Sequence, residues 1–358
     1  MKKNISEAAQ NIIKKCNSGT YLLCRTLLLV FLVLSTISAM VYVSSRGTVS
    51  EDVDEGIISG VHAQEDSDTF GTVFSEEGPY NVVAAGAGMT ENATGSFSMT
   101  IPGKVVFAML YWEGLDEQGK NDDTVTFTVN TNINTVTSSA GLAPTRWSSG
   151  KFVHLYQSNV TSLLSSLPEG NHSFSVSGFN LYKRLGAGLV VVYEKSDLPA
   201  SYVEIRDGVD RFYCEWTGDR GNAMTHVFAV TPNNSVDRQI QFWMFTADMN
   251  DGIEGPGDTK VRPNALWFKS EVGPIPSSTD SIVDSGEEID YATYQYNYTD
   301  YPFYSVSGRE WDTYKSNGNL RVPSLVIPKG APYFALEIES MENVLDEEGE
   351  EYFCASGI

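Results

Sequence analysis

The sequence predicts an all-β chain: an antiparallel, jelly-roll-like β-sandwich, or two such sandwiches packed together, behind an N-terminal transmembrane or signal segment. Three observations carry this. Short runs rich in Val, Thr, Phe and Tyr recur at intervals of roughly 15–25 residues, bounded by Gly, Pro, Asn and Asp. Several alternate apolar and polar residues with the period of a half-buried strand. Helical periodicity is confined to one short stretch, Asn159 to Leu167, which stops before Pro168.

Each run has its own signature. Phe97 to Ile101 alternates and ends at the turn pair Pro102-Gly103. Lys104 to Gly114 is a continuous apolar run of strand length, as in the middle of a sandwich core. Thr124 to Val129 alternates after Asp122-Asp123, and Ser173 to Ser177 alternates after Glu169-Gly170-Asn171. Leu189 to Tyr193 is β-branched and comes after two glycines. Tyr202 to Ile205, Thr225 to Val230, Gln239 to Thr246, Ala265 to Phe268 and Tyr333 to Ile338 complete the series. A body of this kind fits the sandwich class.

Of 358 residues, 24 are Lys or Arg and 46 are Asp or Glu, a net charge of -22. Phosphate would be repelled, so a nucleic-acid partner is excluded. The hydrophobic fraction of 41% excludes intrinsic disorder, and four cysteines exclude a small disulfide scaffold. The charge is unevenly placed. Residues 1–46 hold six basic residues and one acid, leaving 18 basic and 45 acidic residues for the rest.

This asymmetry divides the chain. Residues 1–25 form a basic head, and 26–43 run 18 residues without a charge, close to the shortest helix that crosses a bilayer. The positive-inside rule keeps the head in the cytoplasm and exports the rest of the chain. Ile37-Ser38-Ala39 offers a small-residue cleavage pattern, so anchor and cleaved signal both remain open. Residues 44–70 read as an acidic linker with little to bury, and 71–358 as the extracytoplasmic β body.

Export gives the cysteines a meaning. Cys214 and Cys354 are the two of the body and are expected to form a disulfide in an oxidising compartment. Asn92, Asn159, Asn171, Asn233 and Asn297 stand in Asn-x-Ser/Thr sequons, which signify glycosylation only in a host with the machinery.

Several stretches together resemble a largely uncharacterised β-sandwich domain that recurs in bacterial and archaeal cell-surface, adhesin-like proteins. They are Val106 to Gly114, Asp123 to Phe127, Asn159 to Leu163 leading into Gly170 to Gly178, Gly186 to Glu194, Leu198-Pro199, and Val203 to Gly208. The likeness is clear over 97–208. It extends weakly to the Glu310 to Thr313 stretch and the acidic segment before Tyr352-Phe353. The resemblance implies an exported envelope protein with a structural or adhesive role, and it carries no known reaction. No sorting signal, repeat or second apolar span stands after the domain, so an anchor is expected at the N-terminus.

Residues suited to chemistry are few. Asp248, Asn250, Asp251, Glu254 and Asp258 place five oxygen-bearing side chains among three glycines and a proline, a composition suited to calcium. The spacing departs from a regular calcium loop at Gly252, so a solvated acidic turn is the competing reading. Asp207-Gly208 reads as a hairpin turn. The acidic run from Glu337 to Glu351 reads as a solvated edge that discourages strand aggregation. His62, His154, His172 and His226 form no catalytic motif and read as structural. Ala84 to Gly88 lacks the third glycine of a nucleotide loop and reads as a place of close packing or a turn.

The aromatics around Tyr294, Tyr296, Tyr298 and Trp311 could form a flat platform for sugar rings, against the alternative that they fill the core. The expected function is therefore non-enzymatic: an exported structural or adhesive protein, held to the membrane through 26–43 and meeting an envelope glycan or surface protein. The rival is a lectin-like, carbohydrate-binding jelly roll stabilised by calcium. A glycan hydrolase stands third, since acidic pairs are too abundant in this chain to single one out.

Overall fold

The computed structural model describes residues 70–141, 144–148, 150–213, 221–248, 264–290, 302–303, 307–308, 310–316, 325–340 and 356–357. These are almost entirely strands. In the first half they are β1 (Gly71–Gly78), β2 (Tyr80–Gly88), β3 (Thr94–Ile101), β4 (Lys104–Asp116), β5 (Thr124–Val129), β6 (Asn132–Thr137), β7 (Ala140–Gly141), β8 (Thr145–Ser148) and β9 (Lys151–Asn159). A single turn of helix, α1 (Thr161–Leu164), leads to β10 (Gly170–Ser177), β11 (Lys183–Glu194) and β12 (Ser201–Asp207). The second half carries β13 (Phe212–Tyr213), β14 (His226–Ala229), β15 (Arg238–Gln239), β16 (Trp243–Ala247), β17 (Asn264–Lys269) and β18 (Glu287–Asp290). It closes with β19 (Trp311–Lys315), β20 (Val326–Ile327), β21 (Tyr333–Ser340) and β22 (Ser356–Gly357).

The expected all-β, antiparallel architecture is present. A four-stranded sheet runs in the order β3-β10-β5-β6, and a larger one runs β2-β11-β4-β9-β7 with β8 also on β9. A third, β14-β21-β17-β18, lies in the second half with the pairs β16-β19, β15-β20 and β13-β22, while β1 pairs with β12 in the first. Every ladder among the described residues is antiparallel.

The larger sheet is covered on both faces, and β4 shows how. Val105, Ala108, Leu110 and Trp112 enter the core shared with the four-stranded sheet. Phe107, Met109, Tyr111 and Leu115 enter the core shared with the C-terminal strands. Side chains alternate along a strand, so only burial on both faces lets an antiparallel strand be apolar at consecutive positions. β11 behaves alike: Leu189 and Val191 face one core, Val190 and Val192 the other.

The second interface is close because the central sheet carries glycines there. A Cβ on Gly86 would lie 2.5 Å from Trp311 Nε1, one on Gly186 2.5 Å from Trp311 Cδ2, and one on Gly188 2.6 Å from Phe245 Cζ. The glycine cluster is thus a bed for aromatic rings, the close-packing reading of Ala84 to Gly88.

Some local expectations are corrected. The segment 239–246 is two strands, β15 and β16, not one. The helix is limited to Thr161–Leu164. Asp207-Gly208 is not a hairpin turn: β12 pairs with β1 and β13 with β22, so the chain leaves one ladder for another. Glu337 is not a solvated edge residue. It is 1% exposed and accepts bonds from Thr225 Oγ1, Ser281 Oγ and Ile282 N, while Glu339 accepts from Trp267 Nε1. β21 is a central strand here, flanked by β14 and β17, so its acids are drawn inside where donors meet them.

Candidate functional site

A cavity of ≈ 220 Å³ opens between the central sheet and the C-terminal strands. Its floor is the outward row of the sheet: Val82 and Ala84 from β2, Val190 from β11, Tyr111 and Glu113 from β4, and Leu155 from β9. Phe245 and Thr246 of β16, Trp311 of β19, and Phe334, Leu336 and Ile338 of β21 stand opposite. The walls are mostly apolar, and the polar groups among them are few and specific.

Glu113 stands out among them. Strand alternation puts it on the same face as Tyr111, opposite Gly186 on one side and Leu155 on the other. It is 5% exposed, and its Oε1 has no hydrogen-bond partner among the described residues. Burial, helped by the negative charge of Asp248, pushes its pKa from 4.5 up to about 8. At neutral pH the carboxyl is therefore largely protonated. Thr246 Oγ1, Trp243 Nε1 and Trp311 Nε1, all on residues that line the cavity, also lack partners among the described residues.

Asp207, at the end of β12, accepts a bond of 3.2 Å from Tyr111 Oη. Burial raises its pKa to about 6, against the pull of that bond, and burial together with the Asp207 charge drives Tyr111 upward. The remaining acids of the cavity have partners within the protein. Glu204 holds Arg206 Nε at 2.6 Å, and Asp210 holds His226 Nε2 at 3.3 Å and the Met224 amide at 2.9 Å. Arg206 lies 4.2 Å above the ring of Phe228, and Phe70 meets His226 edge-on at 4.5 Å.

Beside the cavity stands a buried ion cluster. Lys183 Nζ is 2.7 Å from Asp248 Oδ1 and 3.0 Å from Glu310 Oε2, and Thr90 Oγ1 donates to Glu310 Oε2 at 3.0 Å. Burial lowers the Lys183 pKa, but the two carboxylates outweigh it and the net shift is upward. Burial raises Glu310, with Lys183 pulling against it. Asp248 and Glu310 both sit at positive φ, +58° and +63°, and Asp248 N donates to Glu310 O at 3.2 Å. Non-glycine residues in this region cost of order 1 kcal/mol each and persist where surroundings hold them, as Lys183 does here.

The sequence-derived candidates fare unevenly. Asp248 belongs to the ion cluster, with one oxygen on Lys183, while Asn250, Asp251, Glu254 and Asp258 lie outside the described residues. Among the described residues no group of three or more His, Cys, Asp or Glu is arranged to hold a metal. Trp311 is 1% exposed, its ring against Gly86 and Gly186, so it offers no flat outer face to a sugar. Tyr294, Tyr296 and Tyr298 lie outside the described residues, as do Cys214, Cys354, Asn297, His62 and the apolar run 26–43. Among the described residues no helix is long and apolar enough to cross a membrane.

The other sequons are described. Asn92 and Asn171 are exposed. Asn159 accepts from Thr161 N, whose hydroxyl in turn takes the amide of Ala108, and Asn233 is half-buried and caps the amides of Ser235 and Val236. The histidines hold backbone and neighbours. His154 Nε2 meets Glu117 O at 3.0 Å, and His172 Nε2 meets Pro168 O at 2.8 Å.

Sequence reasoning missed Glu113, Asp207, Lys183 and Glu310 as a group. One signal was available for Glu113: an acid inside an otherwise apolar strand run. The others are drawn from distant segments, and no spacing links them.

No family model matches this chain, and no curated protein matches it. Among solved structures, PNGase F, a glycosylasparaginase from Flavobacterium meningosepticum, aligns over 82% of this chain and 94% of its own. The identity is 10% and the TM-score 0.18, a level of likeness that carries no argument about fold or function.

Proposed function

We propose that this chain is an exported cell-envelope protein with a structural or adhesive, non-enzymatic role, tethered by or released from its N-terminal apolar segment. The observation that carries the reading is the polarity of the chain. A basic head and an 18-residue uncharged run precede an acidic body whose described part is built from strands. A central sheet buried on both faces makes a stiff body, as a displayed or load-transmitting module requires. The use of His154, His172 and Glu337 as internal hydrogen-bond partners also fits a protein whose polar groups serve its own architecture.

The reading includes a Cys214–Cys354 bridge. Tyr213 and Ser356 are paired in the β13–β22 ladder, so the chain close to each cysteine is brought together there. Fractionation of cells expressing the full chain tests the proposal. The chain should partition with the envelope, be digested by protease added to intact cells, and be retained on isolated envelopes, with calcium and with chelator compared. Cytosolic recovery in a protease-protected form would overturn it. Retention on a purified glycan only when calcium is present would favour the lectin-like reading instead.

A further inference from the structure

The cavity under the C-terminal strands has a composition that the envelope role does not use. Four carboxylates line it, and two are partnered within the protein, Glu204 by Arg206 and Asp210 by His226 Nε2 and the Met224 amide. Glu113 and Asp207 have no cationic partner among the described residues. Asp207 meets the neutral hydroxyl of Tyr111, and Glu113 Oε1 meets no donor there although its side chain is nine-tenths buried or more. Polar atoms buried in this way cost free energy unless something pairs with them.

The rest of the wall narrows the chemistry. Tyr111, Phe228, Trp243, Phe245 and Trp311 present aromatic surface, and the faces of such rings attract cations. The chain's own cations already use two of them, Arg206 on Phe228 at 4.2 Å and Lys315 on Trp243 at 4.6 Å. A primary ammonium would need an acceptor for each of its N–H bonds. Most acceptors here are already taken, by Tyr111 Oη, Arg206, His226 and the Met224 amide, so a methylated ammonium, with its charge spread over methyl groups, suits these walls better. The unpartnered donors, the indole N–H groups of Trp243 and Trp311, call for an acceptor on the same ligand. The volume, ≈ 220 Å³, is several times the ~30 Å³ share of one water and below the ~300 Å³ where drug-sized pockets begin.

We infer that this cavity binds a small methylated ammonium compound carrying one hydrogen-bond acceptor, with Asp207 and, once ionised, Glu113 as its counter-charges and Trp311, Phe245 and Tyr111 as its aromatic walls. The inference stands apart from the envelope role, since a displayed module and an internal solute site can coexist in one chain.

The test titrates the full chain, held in nanodiscs at pH 9, where Glu113 is ionised, with choline chloride and with its neutral carbon isostere 3,3-dimethylbutan-1-ol. Heat and tryptophan fluorescence are both followed. Choline should bind at least about tenfold more tightly than the alcohol. Glu113→Gln and, separately, Asp207→Asn should each weaken choline about tenfold while leaving the alcohol's affinity unchanged. The second variant guards against misfolding of the first. Equal affinity for the two compounds would reduce the site to an apolar cavity and overturn the inference. Failure of both to bind, or choline binding indifferent to both substitutions, would overturn it as well.

Discussion

Replacing Gly186 by alanine probes the contact on which the double-sided burial of the central sheet depends. The new Cβ would lie 2.5 Å from Trp311 Cδ2 and Cε3 and 2.8 Å from Ala87 O. Neither neighbour is free to retreat. Trp311 is among the largest fully buried side chains, and Ala87 O belongs to the β2 backbone. Gly186 sits within β11 with no positive φ, so the substitution carries no backbone penalty and its effect reports the clash alone. Overpacking of this kind costs about 1–3 kcal/mol and occasionally more. The assay is urea unfolding of the purified chain, monitored by tryptophan fluorescence. Gly119→Ala serves as control, since a Cβ there meets nothing within 4 Å. Trp311→Ala alone should cost about 3–5 kcal/mol. Combined with Gly186→Ala it should cost less than the sum by at least ~1 kcal/mol, because the clash partner has gone. If Gly186→Ala unfolds within about 0.5 kcal/mol of wild type, the C-terminal strands do not press on the sheet as described.

The buried charges give two further expected outcomes. Lys183→Met removes the cation between Asp248 and Glu310, whose side chains are 4% and 1% exposed. The cost should be about 3–5 kcal/mol by urea midpoint, and a loss below ~1 kcal/mol would show that the cluster is solvated. Glu113 has a folded pKa of about 8 against an ordinary 4.5, so the folded state retains its proton. Its contribution is fully present below pH 4.5 and falls by up to ~1.4 kcal/mol per pH unit until about pH 8. Measured at pH 5 and pH 8, the stability gap between wild type and Glu113→Gln should therefore move in favour of the glutamine variant. A gap independent of pH would mean that Glu113 is not held protonated.

The strand series was legible because each run carries its own period. Thr124–Val129 alternates and is a strand over those residues, with its apolar side chains buried. β4 was legible as a buried strand from its unbroken apolar run, though not as the strand that two cores share. β1 and β2 were harder. Gly71–Gly78 is largely polar and becomes a strand by pairing with β12, far along the chain. Glu337 and Glu339 looked like surface because two acids in a strand ordinarily are, and only the strands on either side bring donors to them.

What the sequence determined by itself is local in origin: the polarity of head and body, the strand periodicity, the turns at Gly and Pro, and the small residues that mark close packing. These arise from chain stiffness, side-chain alternation and hydrophobicity within a few neighbouring positions. The tertiary structure decided which face each strand presents and what meets it there. Glu113, Asp207, Lys183 and Glu310 come from separate strands and turns, and their protonation depends on burial and on charges across space. Burial and Coulomb energy depend on three-dimensional distance, which residue spacing along the chain does not encode.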